Sequence, residues 1–230
     1  MVILTGDTHG DFDRIEEFCE EYDTTTEDIM IILGDSGINY WLDERDIQLK
    51  ELLVKLPITI FCIHGNHEER PEELCGYDEM KWHGGTVWVE ANYPNLLFAQ
   101  DGETYEFGDK QALVIGGAYS VDKYYRLAND LPWFATEQPD DRAKKTVEQR
   151  LNQLGWRVDY VFSHTVPLNY IPHHALLPTI DKSTVDRSTE KWLDGIERKL
   201  DYECWYAGHY HVTCGLGRVH ILFEDYEELE

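Results

Sequence analysis

The chain has 230 residues, with 45 Asp and Glu against 20 Lys and Arg, a formal charge of −25. That balance offers no broad basic face, which argues against extended nucleic acid or an anionic membrane surface as the binding partner. Hydrophobic residues at 42% and aromatics at 13% suffice for a packed core, and the length suits one domain spanning 1–230.

Val2 to Leu4 form a short apolar run that stops at Gly6-Asp7, and Phe12, Ile15, Phe18, Cys19 and Tyr22 then recur at helical spacing. Ile29 to Leu33 are consecutive apolar residues ending at Gly34-Asp35, the pattern of a strand buried on both faces. Leu42 to Leu56 is helical in pattern and Pro57 ends it. Ile58 to Ile63 is another buried strand, ending at His64-Gly65-Asn66-His67. Strand–loop–helix units in succession predict a mostly parallel α/β sheet. The texture then changes to short β-like segments, Thr86–Glu90, Leu96–Ala99, Thr104–Phe107 and Gln111–Ile115, separated by Asn, Gly and Asp, which reads as an antiparallel meander. Helical periodicity returns over Asp140–Leu154, followed by a strand Val158–Phe162 that ends at Ser163-His164. A polar, Pro-containing loop over 167–186 leads to a helix Ser188–Leu200 and a strand Cys204–Ala207, which ends at Gly208-His209-Tyr210-His211. A last strand, Val219–Phe223, precedes an acidic tail over 224–230 that reads as a solvated end.

The predicted strands stop at side chains able to bind metal in five places: Asp7-Thr8-His9, Gly34-Asp35, Gly65-Asn66-His67, His164, and His209-Tyr210-His211. In open α/β sheets ligands bind beyond the carboxyl ends of the strands, so clusters scattered along the sequence can converge on one crevice. In Asp-x-His and His-x-His, alternate residues of an extended segment point the same way, and one short stretch can offer two donors. Asp7, His9, Asp35, Asn66, His164, His209 and His211 are too many for one ion and suit two. Ions about 3.5–4 Å apart would share one bridging carboxylate and one hydroxide. The mixture of imidazole, carboxylate and amide favours Mn, Fe or Zn over Ca or Mg.

In this order, Gly6-Asp7-Thr8-His9-Gly10, Gly34-Asp35, Gly65-Asn66-His67-Glu68, His164 and Gly208-His209-Tyr210-His211 resemble the motifs of the calcineurin-like metallophosphoesterases, over nearly the whole chain. The resemblance implies two packed mixed β-sheets flanked by helices, a four-layer α/β sandwich, and a metal-dependent hydrolase of phosphate esters. It implies one ion held by Asp7, His9 and His211, a second held by Asn66, His164 and His209, and Asp35 bridging them. His67 does not match a ligand of that family and resembles the catalytic group facing the substrate, which protonates the leaving oxygen or contacts the phosphate.

One departure bears on substrate. Protein phosphatases of the superfamily carry GDxVDRG at the second motif, where an acid orients the active-site His and an Arg binds phosphate. In Gly34-Asp35-Ser36-Gly37-Ile38-Asn39-Tyr40 those places hold Ile38 and Asn39. The GHYH ending is similar to the phosphodiesterase and nuclease branches. The expectation is therefore a phosphodiesterase acting on a nucleotide or another small diester. A phosphomonoesterase, including a Ser/Thr protein phosphatase, is the alternative that GNHE supports, and a non-enzymatic interaction protein on the same fold is the third reading. Arg70, Lys123 and Arg126 are the candidates to replace the missing phosphate contact: Arg70 one helical turn after His67, the other two after the Gly116–Ser120 turn. His173 and His174 sit in the Pro-containing loop, and Trp41, Trp82, Trp88 and Trp133 either line the crevice or fill the core.

Other chemistries find no support. Cys19, Cys62, Cys75, Cys204 and Cys214 form no CxxC pair, so neither a disulfide framework nor a thiolate zinc site is expected. His67-Glu68-Glu69-Arg70 continues into Pro71 rather than His and is no zincin helix. There is no phosphate-binding GxxxxGK loop and no GxSxG elbow. The start of the chain lacks a signal-peptide pattern, and no apolar stretch approaches the roughly 20 residues of a membrane helix, so a cytoplasmic protein is expected.

Overall fold

A computed structural model describes residues 1–173, 175 and 184–229. The strands are β1 (Val2–Thr5), β2 (Ile29–Ile32), β3 (Thr59–Cys62), β4 (Tyr77–Trp82), β5 (Gly85–Glu90), β6 (Leu96–Ala99), β7 (Thr104–Phe107), β8 (Lys110–Ile115), β9 (Tyr160–Ser163), β10 (Cys204–Ala207), β11 (Cys214–Leu216), β12 (Val219–Ile221) and β13 (Tyr226–Glu228). The helices are α1 (Asp13–Tyr22), α2 (Glu44–Leu53), α3 (Lys123–Ala128), α4 (Asp141–Gln153) and α5 (Ser188–Glu197). One sheet has the order β13-β1-β2-β3-β6-β5-β4, with β1, β2, β3 and β6 parallel. The other has the order β11-β12-β10-β9-β8-β7, with β12, β10, β9 and β8 parallel.

The apolar runs show why these sheets are sandwiched. In β2, Ile29 and Ile31 enter a core between the sheets with Phe61, Tyr105, Val114 and Phe162, while Met30 and Ile32 turn outward onto Ile15 and Phe18 of α1. In β9, Tyr160 and Phe162 face inward, while Val161 meets Val147 and Leu151 of α4 and Leu193 and Ile196 of α5. Strands covered on both faces have no polar side to show, hence their uninterrupted hydrophobicity. The result is the expected four-layer sandwich of helix, sheet, sheet and helix. Among the described residues no helix is long and apolar enough to cross a membrane.

Three expectations are corrected. The meander is divided between the sheets: β4, β5 and β6 pair antiparallel in the first, where β6 also runs parallel to β3, and β7–β8 is a hairpin whose β8 runs parallel to β9. Segment alternation marks strands but not their partners, and the fully buried β6 takes a central place. The acidic tail is not a solvated end, because β13 pairs antiparallel with β1 and Tyr226 packs its ring 5.0 Å from Phe18. That pairing joins backbone N–H and C=O groups along a sheet edge, and the alternating side chains of β13 stand off the sheet faces rather than in the ladder. The helix expected from Leu42 begins at Glu44 instead, since Leu42 is left-handed at φ +55° and Asp43 caps the helix by accepting from Arg45 N.

Candidate active site

The candidate donors follow directly on β1, β2, β3, β9 and β10, whose carboxyl ends meet at one edge of the sandwich. His9 Nε2 lies 2.9 Å from His211 Nε2, and Asp7 Oδ2 lies 3.8 and 3.2 Å from those two nitrogens respectively. His164 Nδ1 is 4.0 Å from Asp7 Oδ1, and His164 Nε2 is 3.5 Å from Asp35 Oδ1. The same Nε2 is 2.8 Å from Asn66 Oδ1, and the His164 ring is 4.9 Å from that of His209. All seven candidates therefore belong to one continuous cluster. Within it, Asp7–His9–His211, Asp7–Asp35–His164 and His9–Asp35–His67 each bring their donor atoms within 4.8 Å of one another, the spacing of groups that can share an ion.

Donors this close leave no room for a Cβ on their neighbours. At Gly34, with φ +97°, a Cβ would stand 2.1 Å from His164 Nδ1, and at Gly208 it would stand 2.3 Å from Asp7 Oδ1. The expected aiming mechanism is corrected here. His9 (φ +49°), Asp35 (+45°), His209 (+71°) and His211 (+48°) are left-handed, so Asp-x-His and His-x-His converge through tight turns past the strands and not by strand alternation. Such backbone costs on the order of 1–3 kcal/mol at each non-glycine residue and persists only where packing enforces it.

The electrostatics fit bound cations. Asp7 and Asp35 are 1% and 2% exposed, their ion-pair partners are histidines, and Asp7 Oδ2 accepts no hydrogen bond. Buried carboxylates lacking a fixed positive partner are costly, and divalent ions relieve that cost. Burial opposes charge on Asp35, yet His164, His67 and His9 hold its carboxyl well below the usual range. Burial opposes a proton on His164 as well, but Asp35 and Asp7 overcome it and lift the group to about 9. Burial, then repulsion from His164, pushes His209 down to about 3. His164 Nδ1 sits 2.8 Å from the Leu33 carbonyl, which can only accept, so Nδ1 carries hydrogen and Nε2 faces the cluster.

His67 stands at the mouth. Its ring meets His9 edge-on at 5.1 Å and stacks on Tyr40 at 6.1 Å, its backbone N–H donates to Asp35 Oδ1, and burial lowers its pKa against the pull of Asp35. Ile38 is fully buried in the core, and the carboxylate nearest His67 Nε2 outside the donor cluster is Asp122 Oδ1 at 3.8 Å. Of the three candidate phosphate contacts, Arg70 is placed differently from expectation. Arg70 does not extend a helix from His67; it precedes a 3₁₀ turn, Pro71–Glu73, and its buried guanidinium holds Asp101 Oδ2 and the Thr136 carbonyl. Lys123 places its ammonium 3.8 Å over the Trp133 ring. Arg126 is 1% exposed, its guanidinium 5.4 Å from the Tyr40 ring; its Nη1 donates to Ser120 Oγ, the same oxygen that accepts from Asn66 Nδ2, while its Nε and Nη2 have no hydrogen-bond partner among the described residues. His173 is exposed beside Arg187 and Lys191, and His174 lies outside the described residues.

Two supports escaped sequence reasoning. Glu68, 3% exposed, accepts from Ser36 N, Ser36 Oγ and Gly65 N and so ties the loops after β2 and β3 together. Burial and the charge of Asp35 raise its carboxyl to about 7. The signal was GNHE itself, whose last letter carries this tie. The second is the loop over 37–43, whose Tyr40 and Trp41 line the crevice beside His9 and His67. Of the four tryptophans considered, only Trp41 does so, while Trp82 and Trp88 pack on the cores.

The family model for calcineurin-like phosphoesterases matches residues 1–213. Among solved structures, the chain is similar to TT1561 of Thermus thermophilus, with a TM-score of 0.54 at 12% identity over 96% of this chain and 87% of that one. AQ665 from Aquifex aeolicus, described as a protein of unknown function, aligns at 16% identity over 74% of this chain and 81% of that chain, with a TM-score of 0.35. At such identities the first likeness speaks for the fold alone, and the second carries no argument. No curated protein matches significantly.

Proposed function

The chain belongs to the calcineurin-like phosphoesterases, a metal-dependent family, and from that membership we propose that it hydrolyses a phosphodiester of a nucleotide or another small molecule at a two-cation site. The carrying observation is the sharing of donors: Asp7, His9 and Asp35 each belong to two of the three close-packed sets, and the two carboxylates among them are the groups that could bridge a paired site. Asp7, His9 and His211 would hold one ion, Asn66, His164 and His209 the other, with Asp35 shared between them. The donor types suit Mn, Fe or Zn. When bound, the ions supply Lewis acidity toward the phosphoryl oxygens and a lowered pKa for water.

The protein's own groups supply the rest. His67, half-buried beside the cluster, delivers a proton to the leaving oxygen, and its lowered pKa makes it the stronger acid when protonated. Arg126 and Ser120 brace the Asn66 amide through the shared Ser120 hydroxyl. With Arg70 paired to Asp101, charge neutralisation would fall mainly to the ions, and Arg126, 5.4 Å from the Tyr40 ring, keeps Nε and Nη2 without a hydrogen-bond partner among the described residues. A singly charged diester needs less neutralisation than a dianionic monoester, which would draw on Arg126 as well.

Turnover of bis-p-nitrophenyl phosphate beside p-nitrophenyl phosphate, with Mn²⁺ and with a chelator control, tests the reading. Faster diester cleavage that the chelator abolishes is expected. Faster monoester cleavage would turn the search to phosphorylated metabolites and phosphopeptides. Absence of both with metal bound would favour an interaction protein.

A further inference from the structure

A pocket of about 440 Å³ extends from His9 and His67 to Tyr40, Trp41, Arg45 and Leu49. We infer that this pocket holds the ester group of the substrate and selects a planar aromatic ring, of the nucleobase type, by stacking on the Trp41–Arg45 wall. The inference rests on the phosphoesterase reading above and names the class of ester.

Surface chemistry points to a flat, uncharged group. Trp41 remains 37% exposed; the Arg45 guanidinium carbon lies 3.5 Å over its ring and the Tyr40 ring meets it edge-on at 4.7 Å, so the three groups form one wall. Arg45 is already neutralised: Asp43 accepts from Nε at 3.0 and 3.1 Å and from Nη2 at 2.6 Å. Asp46, the other charged residue in the lining, accepts from Trp41 N at 3.3 Å and Leu42 N at 2.7 Å. With both charges committed within the chain, the wall offers π surface and not a free ion. A second phosphate or an acidic peptide would find no partner there.

The wall is also built in advance. Asn39 and Leu42 are held left-handed, at φ +62° and +55°, and the Asn39 side chain accepts from Tyr77 Oη at 2.9 Å while its carbonyl accepts from Glu69 N at 3.0 Å. A ligand meeting a pre-ordered platform does not bear the cost of ordering it. The volume lies within the range of about 300–1,000 Å³ typical of small-molecule sites, which suits a nucleoside-sized ester better than a folded protein.

Calorimetry on Mn²⁺-loaded protein with non-hydrolysable phosphonates tests this. 1-Naphthylmethylphosphonate is planar, cyclohexylmethylphosphonate is apolar but puckered, and methylphosphonate has no ring. The naphthyl compound should bind at least about tenfold tighter than either control, the scale of a base stacked on an aromatic side chain. Trp41→Ala should erase that advantage and leave methylphosphonate binding unchanged, and Trp41→Phe should keep most of it. Equal affinity for naphthyl and cyclohexyl compounds in the wild type, or equal weakening of all three in Trp41→Ala, overturns the inference. Bis-p-nitrophenyl phosphate turnover on the same samples separates the two readings. Turnover without naphthyl preference overturns the pocket assignment alone, and naphthyl preference without turnover supports the pocket while overturning the hydrolase.

Discussion

At the donor end of the crevice Asp7, Asp35, Asn66 and His164 are buried, among glycines and left-handed residues that let five chain segments touch. At the aromatic end Tyr40 and Trp41, on the loop before α2, and Arg45, in the first turn of α2, are partly open to solvent, and Asp46 of α2 holds the loop through the Trp41 and Leu42 N–H groups. The first end is over-determined by packing and carries desolvated charge, so each donor depends on the others and on the cations that offset them. The second end is local, and its side chains are exposed one at a time. On the function proposed above, reaction chemistry belongs to a part of the molecule that tolerates little change, and substrate choice to a part that tolerates much.

The largest effect should come from Asp35→Asn. Loss of the shared carboxylate should remove one or both ions and reduce bis-p-nitrophenyl phosphate turnover by more than about 10³-fold, the scale of catalysis a metal centre supplies. Elemental analysis of the variant showing full metal content with wild-type turnover would break the assignment of bridging to Asp35.

His67→Asn should be milder, because His67 is not assigned a cation. Its metal content should match the wild type while kcat falls by about 10²–10⁴-fold, the usual range for a lost proton donor. Among aryl esters the loss should grow as the leaving group worsens. A uniform loss across leaving groups would argue that His67 binds phosphate and does not protonate.

The donor end should also respond to pH. Folding lifts His164 from 6.5 to about 9, so in metal-free protein its contribution to stability is complete below pH 6.5 and is lost as pH rises through about 9. The melting temperature of metal-free protein should fall across that interval, and the fall should be absent in His164→Asn. Cations displace the same proton, so metal affinity should rise over the same interval. His209, held down to about 3, carries no proton near neutrality and adds nothing to that slope. A metal-free melting curve as flat in the wild type as in His164→Asn would contradict this.

The smallest effect is expected at the aromatic end. Asp46→Ala leaves the Trp41 and Leu42 N–H groups without their acceptor and should cost about 1–3 kcal/mol of stability. Metal content should stay intact, and kcat/KM should drop several-fold for aryl esters while alkyl esters are spared. Equal losses for both ester types would dissolve the contrast between the two ends.

Sequence reading reached the donor end because each donor cluster follows an apolar strand, and strand ends in α/β sheets converge whatever their spacing along the chain. It reached β2 and β9 because both their faces are covered. It missed β4, whose Tyr77-Asp78-Glu79-Met80-Lys81-Trp82 mixes charges on a half-exposed hairpin arm, although His83 and Gly84, at φ +45° and +79°, form the two-residue turn that signals such a hairpin. It missed β13 because edge pairing of Tyr226-Glu227-Glu228 draws on the backbone, which composition does not report. The geometry around Arg70 and Arg126 was illegible for another reason. A guanidinium has the same sequence signature whether it faces a substrate or, as in Arg70, holds Asp101 inside the fold, or, as in Arg126, gives one nitrogen to Ser120 and leaves two without a partner among the described residues.

The most direct test of the two-cation site counts ions against activity. Chelated and dialysed protein should contain no metal and turn over no bis-p-nitrophenyl phosphate, and titration with Mn²⁺ should restore turnover to a plateau at two ions per chain. Full activity with no bound metal, or a plateau at a single ion, would contradict the account.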